Sequence, residues 1–327
     1  NGFENLFGHE NTKVLNHEWI DNYEARRRKR KVLPAEIDED IQDEIPHPHP
    51  IQEEALAALI KTRDAGNKAG LVVLATGLGK TWLSAFDSSD KKLFKRILFV
   101  AHREEILSRS MEDFRNLHPK AKFGMYTGKE RASDAEILFA SIQTLGKSAH
   151  LKKFEPKSFD YIIMDEFHHA CAKTYRNLIN YFDPKFLLGL TATPERMDGG
   201  NLLSLCHENL VYRCDLFEGI EQDLLCKFKY FGVPDDVDYS KIKWRSNQFD
   251  EEELTNALAN DKRAQNVLEQ FHKHKGKKAL GFCSSTRHAD YMAKYFNERG
   301  VKACAVHSGE KSYPRAGSLE KLENGEI

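Results

Sequence analysis

The chain has 327 residues, of which 40% are hydrophobic and 30% are charged, and its formal net charge at pH 7 is −1. This composition is typical of folded globular proteins and excludes a fibrous or low-complexity chain, while the length suggests about two domains. Because the net charge is close to zero, a surface that binds a polyanion must come from local clusters of Lys and Arg.

The cysteines and the apolar runs limit the compartment and the class of protein. Six cysteines are spread along the chain without a CxxC pair, which argues against a zinc knuckle and favours reduced thiols. No apolar run reaches the roughly 18 residues of a membrane span, and no signal peptide is visible. We therefore expect no membrane contact and a cytoplasmic location. The chain begins with Asn1 rather than Met, which we interpret as an internal start.

Residues 1–45 differ from the rest of the chain. Six consecutive basic residues, Arg26 to Lys31, precede an acidic stretch from Glu36 to Glu44. We interpret the segment as a solvated helix or linker, with a nucleic-acid-binding arm as the alternative. The sequence His-Pro-His-Pro at 47–50 then predicts a stiff boundary, because proline lacks an amide donor and restricts the residue before it.

From residue 51 onward, helix and strand patterns alternate. The apolar spacing of 51–62 predicts a helix, and short apolar runs predict buried strands at 71–74, 96–101, 136–141, 161–165 and 186–190. Such strands, separated by helices, are typical of a parallel sheet covered on both faces. Further strand candidates at 229–233, 278–283 and 301–306, with a charged helix over 251–275, predict the beginning of a second α/β domain.

A phosphate-binding sequence follows the first of these strands. The glycines let the backbone curl so that its amide groups face a phosphate, Lys80 can reach the outer phosphates, and the Thr81 hydroxyl can ligate Mg²⁺. The strict pattern has Gly where this chain has Leu74, so an ordinary glycine-containing turn is the alternative. The residues predicted to bind nucleotide in this loop are Thr76, Gly77, Leu78, Gly79, Lys80 and Thr81.

Two adjacent carboxylates end the strand at 161–165. In an open α/β sheet, ligands bind at the carboxyl ends of the strands, so Asp165 is predicted to hold Mg²⁺. Glu166 is predicted to orient and deprotonate the attacking water. An exposed acidic turn is the alternative, as is a metal site at His168 and His169, although HExxH spacing is absent.

In this order, the motifs resemble those of the superfamily-two helicases, DExH subgroup. Gln52 resembles the adenine-reading Q motif, although Ile51 stands where an aromatic residue is usual. The other matching segments are 74–81 (motif I), 100–107 (Ia), 140–145 (Ib), 165–168 (II), 191–193 (III), 281–286 (IV) and 306–309 (a strand-contacting segment). The resemblance covers roughly residues 46–327 and implies two RecA-like parallel-sheet lobes with ATP in the cleft, the second lobe truncated.

The resemblance also implies roles for individual residues. His168, Thr191 and Thr193 would couple the nucleotide state to the grip on nucleic acid. The residues expected to contact nucleic acid are His102, Arg103, Ser141, Gln143, Ser284, Thr286 and His307. The implied cofactors are ATP and Mg²⁺. DNA is favoured over RNA because the sequences VAHREEIL, DEFHHA and LTATPERMDG look like those of bacterial DNA-directed members.

The segment at 230–244 is similar to members that carry a phospholipase-D-type nuclease domain ahead of the motor, so a nuclease domain or subunit is a further expected partner. Residues 1–45 would be a linker or the trailing edge of that domain, 46–215 the first lobe and 216–327 the start of the second. No motif VI, which supplies the arginine finger, follows Gly309, so this chain alone should hydrolyse ATP poorly.

The predicted function is an ATP-dependent helicase or translocase motor. A translocase that pumps duplex DNA without separating the strands fits the same motifs. A nucleic-acid sensor or scaffold that uses ATP only as a switch is the alternative from another class. The presence of Lys80, Asp165 and Glu166 argues against that alternative.

Overall fold

The computed structural model describes residues 46–90, 92–193, 202–245, 248–274, 276, 278–309 and 312–327. The prediction of a linker or trailing domain edge at 1–45 falls outside these residues. The chain forms two compact units, Asn1–Phe228 and Lys229–Ile327. Within the described residues, no helix is both long and apolar enough to cross a bilayer.

The first unit contains a seven-stranded sheet in which every pairing is parallel. Its strands are β1 (Ala69–Leu74), β2 (Ile97–Ala101), β3 (Phe123–Tyr126), β4 (Ile137–Ser141), β5 (Tyr161–Met164), β6 (Phe186–Thr191) and β7 (Leu210–Cys214). The spatial order is β3-β4-β2-β5-β6-β1-β7. The five strands predicted for this domain are confirmed, and β3 and β7 are additional edge strands.

Helices cover both faces of this sheet. They are α1 (Pro50–Asp64), α2 (Lys80–Asp87), α3 (Glu104–Leu117), α4 (Ile142–Leu145), α5 (Ser148–Leu151), α6 (Lys173–Tyr181) and α7 (Leu216–Glu221). Alternate residues of β1 enter opposite cores: Val72 packs in one apolar cluster and Val73 in the other. Burial on both faces explains why the central strands contain no charged residue and are apolar except for the hydroxyl residues that end β4 and β6.

The strand order determines which motifs become neighbours. Because all seven strands are parallel, their carboxyl ends lie along one edge of the sheet. Three adjacent strands carry predicted motifs at their carboxyl ends. β1 leads into the predicted nucleotide loop (74–81), β6 into the threonine motif (191–193), and β5 into the carboxylate pair of Asp165 and Glu166. β2 and β4, which precede the predicted nucleic-acid contacts, continue from the other side of β5. The carboxylate pair therefore lies between the predicted nucleotide loop and the predicted nucleic-acid contacts along this edge.

The second unit is mainly helical in its described residues. Its elements are a two-stranded antiparallel ribbon of β8 (Trp244–Arg245) and β9 (Gln248–Phe249) and the helices α8 (Glu251–Leu258), α9 (Asp261–His274), α10 (Thr286–Asn297) and α11 (Arg315–Glu323). The helix predicted over 251–275 is split into α8 and α9.

The strands predicted at 229–233, 278–283 and 301–306 do not form ladders within the described residues, so this prediction is wrong for the structure. Leu280 and Phe282 are 69% and 96% exposed. A segment is a strand only when a neighbouring strand pairs with it through hydrogen bonds, and in the described part of the second unit none of the three segments has such a partner.

Candidate functional site

The nucleotide loop connects β1 to α2. Gly77 and Gly79 have φ angles of +96° and +70°, in the left-handed region that favours glycine. A Cβ on Gly79 would also lie 2.5 Å from Gln52 Nε2. Leu78 is fully buried between them, whereas Thr76 is exposed. The loop therefore has the backbone freedom and the close neighbours of a phosphate-binding turn.

Two side chains from the segment that starts α1 bind carbonyl groups of this loop. Gln52 Nε2 donates to Gly79 O at 3.1 Å, and Gln52 Oε1 accepts from the His49 N–H at 3.0 Å. His49 Nε2 donates to Leu78 O at 3.3 Å, since a carbonyl oxygen can only accept. The motifs predict a role for Gln52 but not for His49. The only sequence signal for His49 is its position three residues before Gln52.

The cationic and hydroxyl groups of the loop lie at the start of α2. Lys80 Nζ donates to Leu74 O at 3.3 Å, which places the ammonium group inside the loop. Thr81 is half-buried in the first turn of the same helix. Both groups are thus held beside the loop, where the sequence predicts phosphate and metal contacts.

The carboxylate pair lies in a sharply turned segment after β5. Glu166 has φ 51° and ψ 48°, a left-handed conformation that is uncommon for a residue other than glycine. The Glu166 N–H donates to Asp165 Oδ1 at 2.9 Å. The next residue, Phe167, is fully buried, and a Cβ on Gly189 would lie 2.7 Å from its ring. The bare backbone of Gly189 in β6 therefore gives Phe167 the space in which it anchors the turn.

The environment of Asp165 favours a cation. Burial, followed by the charge of Glu166, raises the pKa of Asp165 to about 6, although the Glu166 N–H and Lys80 act in the opposite direction. Asp165 is 6% exposed, so a nearby divalent cation would be only weakly screened by water. Among the described residues, no group of three or more His, Cys, Asp and Glu could hold a metal ion. Mg²⁺ is usually held by one or two carboxylates together with substrate phosphates, and this is the role that the sequence predicts for Asp165.

A histidine joins the carboxylate pair to the threonine motif. His168 Nδ1 lies 3.2 Å from Glu166 Oε2 and 3.3 Å from Thr191 Oγ1. The Thr191 hydroxyl donates to Thr193 O at 3.0 Å and accepts from the Thr193 N–H at 3.2 Å. The ends of β5 and β6 are therefore connected through side chains that the motif order predicts to act together.

The predicted nucleic-acid contacts of the first unit lie at the ends of β2 and β4. Arg103 is exposed, and its Nε donates to His102 Nε2 at 3.1 Å. Gln143 is also exposed and donates to His102 O at 2.5 Å. Ser141 is buried, and its hydroxyl donates to Thr144 Oγ1 at 3.1 Å. Arg103, His102 and Gln143 thus form one cluster, whereas the Ser141 hydroxyl points inward.

The remaining predicted contacts belong to the second unit. Thr286 begins α10, and Ser284 Oγ lies 3.2 Å from His288 Nδ1 just before that helix. His307 Nε2 forms a hydrogen bond with Asp290 Oδ1 at 3.0 Å. Ser284 and His307 thus make local contacts within their own unit, and Thr286 is exposed.

Comparison with known proteins agrees with the motif order. Residues 45–196 match the family described as Type III restriction enzyme, res subunit. The chain is 28% identical over 296 residues to the ATP-dependent helicase IRC3 of Saccharomyces cerevisiae, a match that covers 84% of this chain and 42% of the yeast protein. It is 32% identical over 200 residues to the Type I restriction enzyme EcoAI endonuclease subunit of Escherichia coli, covering 56% of this chain and 24% of that subunit.

A solved structure shares the fold. The ATP-dependent Type ISP restriction-modification enzyme LlaBIII bound to DNA has a TM-score of 0.57 at 14% identity, over 86% of this chain and 23% of that chain. The chain thus spans less than half the length of these relatives. The family match over 45–196 and the similarity to IRC3 agree with the resemblance of the ordered motifs to superfamily-two helicases of the DExH type, and the solved structure shares the fold.

Proposed function

We propose that the chain is the ATP-hydrolysing motor core of a helicase or translocase that acts on DNA. The observation that carries the proposal is the strand order, which brings the ends of β1, β6 and β5 together and places β2 and β4 beside them. A nucleotide site and a nucleic-acid contact then share one edge of a rigid sheet. Such an arrangement suits an enzyme in which hydrolysis changes the grip on a strand.

The nucleotide half would bind ATP and Mg²⁺ through the loop after β1. Lys80 and the loop amides would offset the charge of the phosphates, and Thr81 and Asp165 would hold the metal ion. When bound, Mg²⁺ neutralises charge that develops on the transferred phosphoryl group. Glu166 would orient and deprotonate the attacking water. Gln52 would read the adenine base.

The nucleic-acid half would contact phosphates through exposed side chains at the ends of β2 and β4. Arg103 and Gln143 are exposed there, and contacts to phosphate carry no direct sequence preference. DNA is the favoured substrate because two of the similar proteins are named as restriction enzymes and one of them was solved bound to DNA. The candidates in the second unit, Ser284, Thr286 and His307, would contact the strand from the other lobe.

The domain assignment remains our proposal from the sequence: 46–215 as the first lobe, 216–327 as the start of the second, and 1–45 as a linker or the edge of a nuclease domain. The compact first unit continues to Phe228. A Cβ on Gly219 would meet Leu225 and Leu78, so the segment after 215 packs against the nucleotide loop. The cytoplasmic location rests on cysteine usage alone.

Strand separation and duplex translocation are distinguished by two assays on the enzyme. A gel assay follows the release of a labelled strand from a duplex, and a triplex assay follows displacement of a third strand by a protein that moves along intact duplex. We expect ATP-dependent activity in at least one assay and none with Lys80→Ala. Turnover of ATP without displacement in either assay would instead favour the sensor or scaffold function.

A further inference from the structure

Three histidine rings connect the exposed residues Arg103 and Gln143 to Glu166, the predicted catalytic carboxylate. We propose that these rings, His102, His169 and His168, form a histidine relay that transmits strand contact at Arg103 to Glu166. The inference rests on the proposed function and adds His169, a residue outside the predicted catalytic and binding groups. His169 is a positioning residue in this account because it acts through its neighbours.

The first step of the relay is at the end of β2. Gln143 donates to the His102 carbonyl at 2.5 Å, and Arg103 Nε donates to the ring nitrogen Nε2 at 3.1 Å. The two exposed groups predicted to contact a strand thus both bind one histidine, one through its backbone and one through its ring. A movement of the Arg103 or Gln143 side chain therefore alters a hydrogen bond to His102.

The second step crosses from β2 to the neighbouring β5. The rings of His102 and His169 meet edge to face, with centroids 5.3 Å apart and an interplanar angle of 68°. The rings of His169 and His168 are 4.1 Å apart. His168 Nδ1 in turn lies 3.2 Å from Glu166 Oε2. An unbroken series of contacts therefore runs from Arg103 to the carboxylate that would orient water.

The relay has two states because Arg103 has two acceptors. Without a strand, its guanidinium group donates to His102 Nε2. The other ring nitrogen of His102, Nδ1, is buried without a hydrogen-bond partner in the part of the chain that is described. A phosphate is a charged acceptor and forms stronger hydrogen bonds with arginine than a neutral imidazole does. When Arg103 moves to a phosphate, the polar contact that orients the His102 ring is lost, and the ring can turn against His169.

Electrostatics link the same groups. Burial, followed by electrostatic interactions with His169 and Arg103, lowers the pKa of His102, whereas Glu166 and Glu105 act in the opposite direction. A lowered pKa favours the neutral ring, which can accept the hydrogen bond from Arg103. The ring contacts and these electrostatic interactions physically connect the predicted strand contacts to Glu166. A measured coupling energy between the two sites is the test of this connection.

The test compares His169→Ala, His169→Phe and the control Lys173→Ala, an exposed residue four positions further along the chain. ATP turnover by the enzyme is measured with and without saturating single-stranded DNA, together with DNA affinity in the absence of nucleotide. We expect His169→Ala to keep DNA-free turnover and DNA affinity but to lose about fivefold or more of the stimulation by DNA, at the lower end of typical couplings. His169→Phe keeps a ring in place and should retain the stimulation, as should the control.

Normal stimulation in His169→Ala would overturn the relay. An equal loss of DNA-free turnover would also overturn it, because a structural role explains such a loss. Failure of His169→Phe to restore stimulation would contradict transmission through the ring contact. A wild-type enzyme that hydrolyses ATP without responding to DNA would instead refute the proposed function, and the relay with it.

Discussion

The side-chain amide of Gln52 donates a hydrogen bond to the Gly79 carbonyl at 3.1 Å and so joins α1 to the nucleotide loop. Gln52 is 3% exposed, and its oxygen is bonded to the His49 N–H. The amide is therefore oriented from both sides before any nucleotide binds. The same side chain would support the phosphate loop and face the adenine base.

Replacement of Gln52 by Ala is expected to weaken ATP binding about fivefold. The loss of one buried hydrogen bond costs about 1 kcal/mol, and 1.4 kcal/mol corresponds to a factor of ten in affinity. Titration with a fluorescent ATP analogue measures the effect, with the exposed neighbour substitution Glu53→Ala as the control. Unchanged affinity in Gln52→Ala would show that the amide does not support the loop.

Replacement of Gly189 by Ala is expected to lower turnover and stability together. The added Cβ would lie 2.7 Å from the Phe167 ring, so the turn that carries Glu166 must shift. Overpacking of this kind costs about 1–3 kcal/mol. Gly317→Ala is the control, because its Cβ would meet open space within α11 and should stabilise the helix. Thermal unfolding and turnover are measured for both variants. Normal turnover in Gly189→Ala would show that catalysis does not depend on the position of the turn that carries Glu166.

Removal of one partner from the largely buried ion pair of Arg63 and Asp87 is expected to destabilise the first unit. Arg63 forms two hydrogen bonds of 2.8 Å with Asp87, which also accepts from the Tyr161 hydroxyl at 2.6 Å. Asp87→Ala would leave the guanidinium group buried and unpaired, a change that costs about 3–5 kcal/mol. In urea unfolding, Asp134→Ala should behave like wild type, because its pair with Lys122 is exposed. Equal losses in both variants would contradict this.

The stability of the metal-free enzyme should depend on Asp165 and on pH. The pKa of Asp165 is raised to about 6 by burial and Glu166, so the folded state binds the proton more tightly than the unfolded state. Its stabilising contribution is then complete below the ordinary pKa of 3.8 and is lost as the pH rises through about 6. In EDTA, Asp165→Asn should exceed wild type in stability at neutral pH, by on the order of 2 kcal/mol, and match it in acid. A constant difference at all pH values would contradict the shift.

The central strands were predictable because burial on both faces leaves an apolar residue at every position, as in 71–74 and 161–164. The edge strand β7 is partly exposed, and β3 has only two buried residues, so neither produces such a run. Residues 278–283 have the apolar composition of a strand but pair with no other strand in the described residues. Composition cannot show where the hydrogen-bonding neighbour lies.

The candidate site was partly predictable for a similar reason. Lys80 and Asp165 follow buried strands, and parallel strands bring their carboxyl ends to one edge. His49 and His169 were not predictable as part of it, because their contacts depend on ring orientations that tertiary packing determines. The left-handed backbone conformation of Glu166 could not be predicted either, because the residue at this position is not glycine.

Release of phosphate from ATP tests the motor assignment most directly. It is measured with and without single-stranded DNA for the full-length enzyme that contains this chain, as wild type and as Glu166→Gln. We expect DNA to accelerate wild-type turnover. We also expect Glu166→Gln to keep its affinity for ATP, to lose turnover by about a hundredfold or more, and to stay bound to DNA in the presence of ATP. Turnover by Glu166→Gln within a few-fold of wild type, or a wild-type enzyme that does not hydrolyse ATP, would contradict the account.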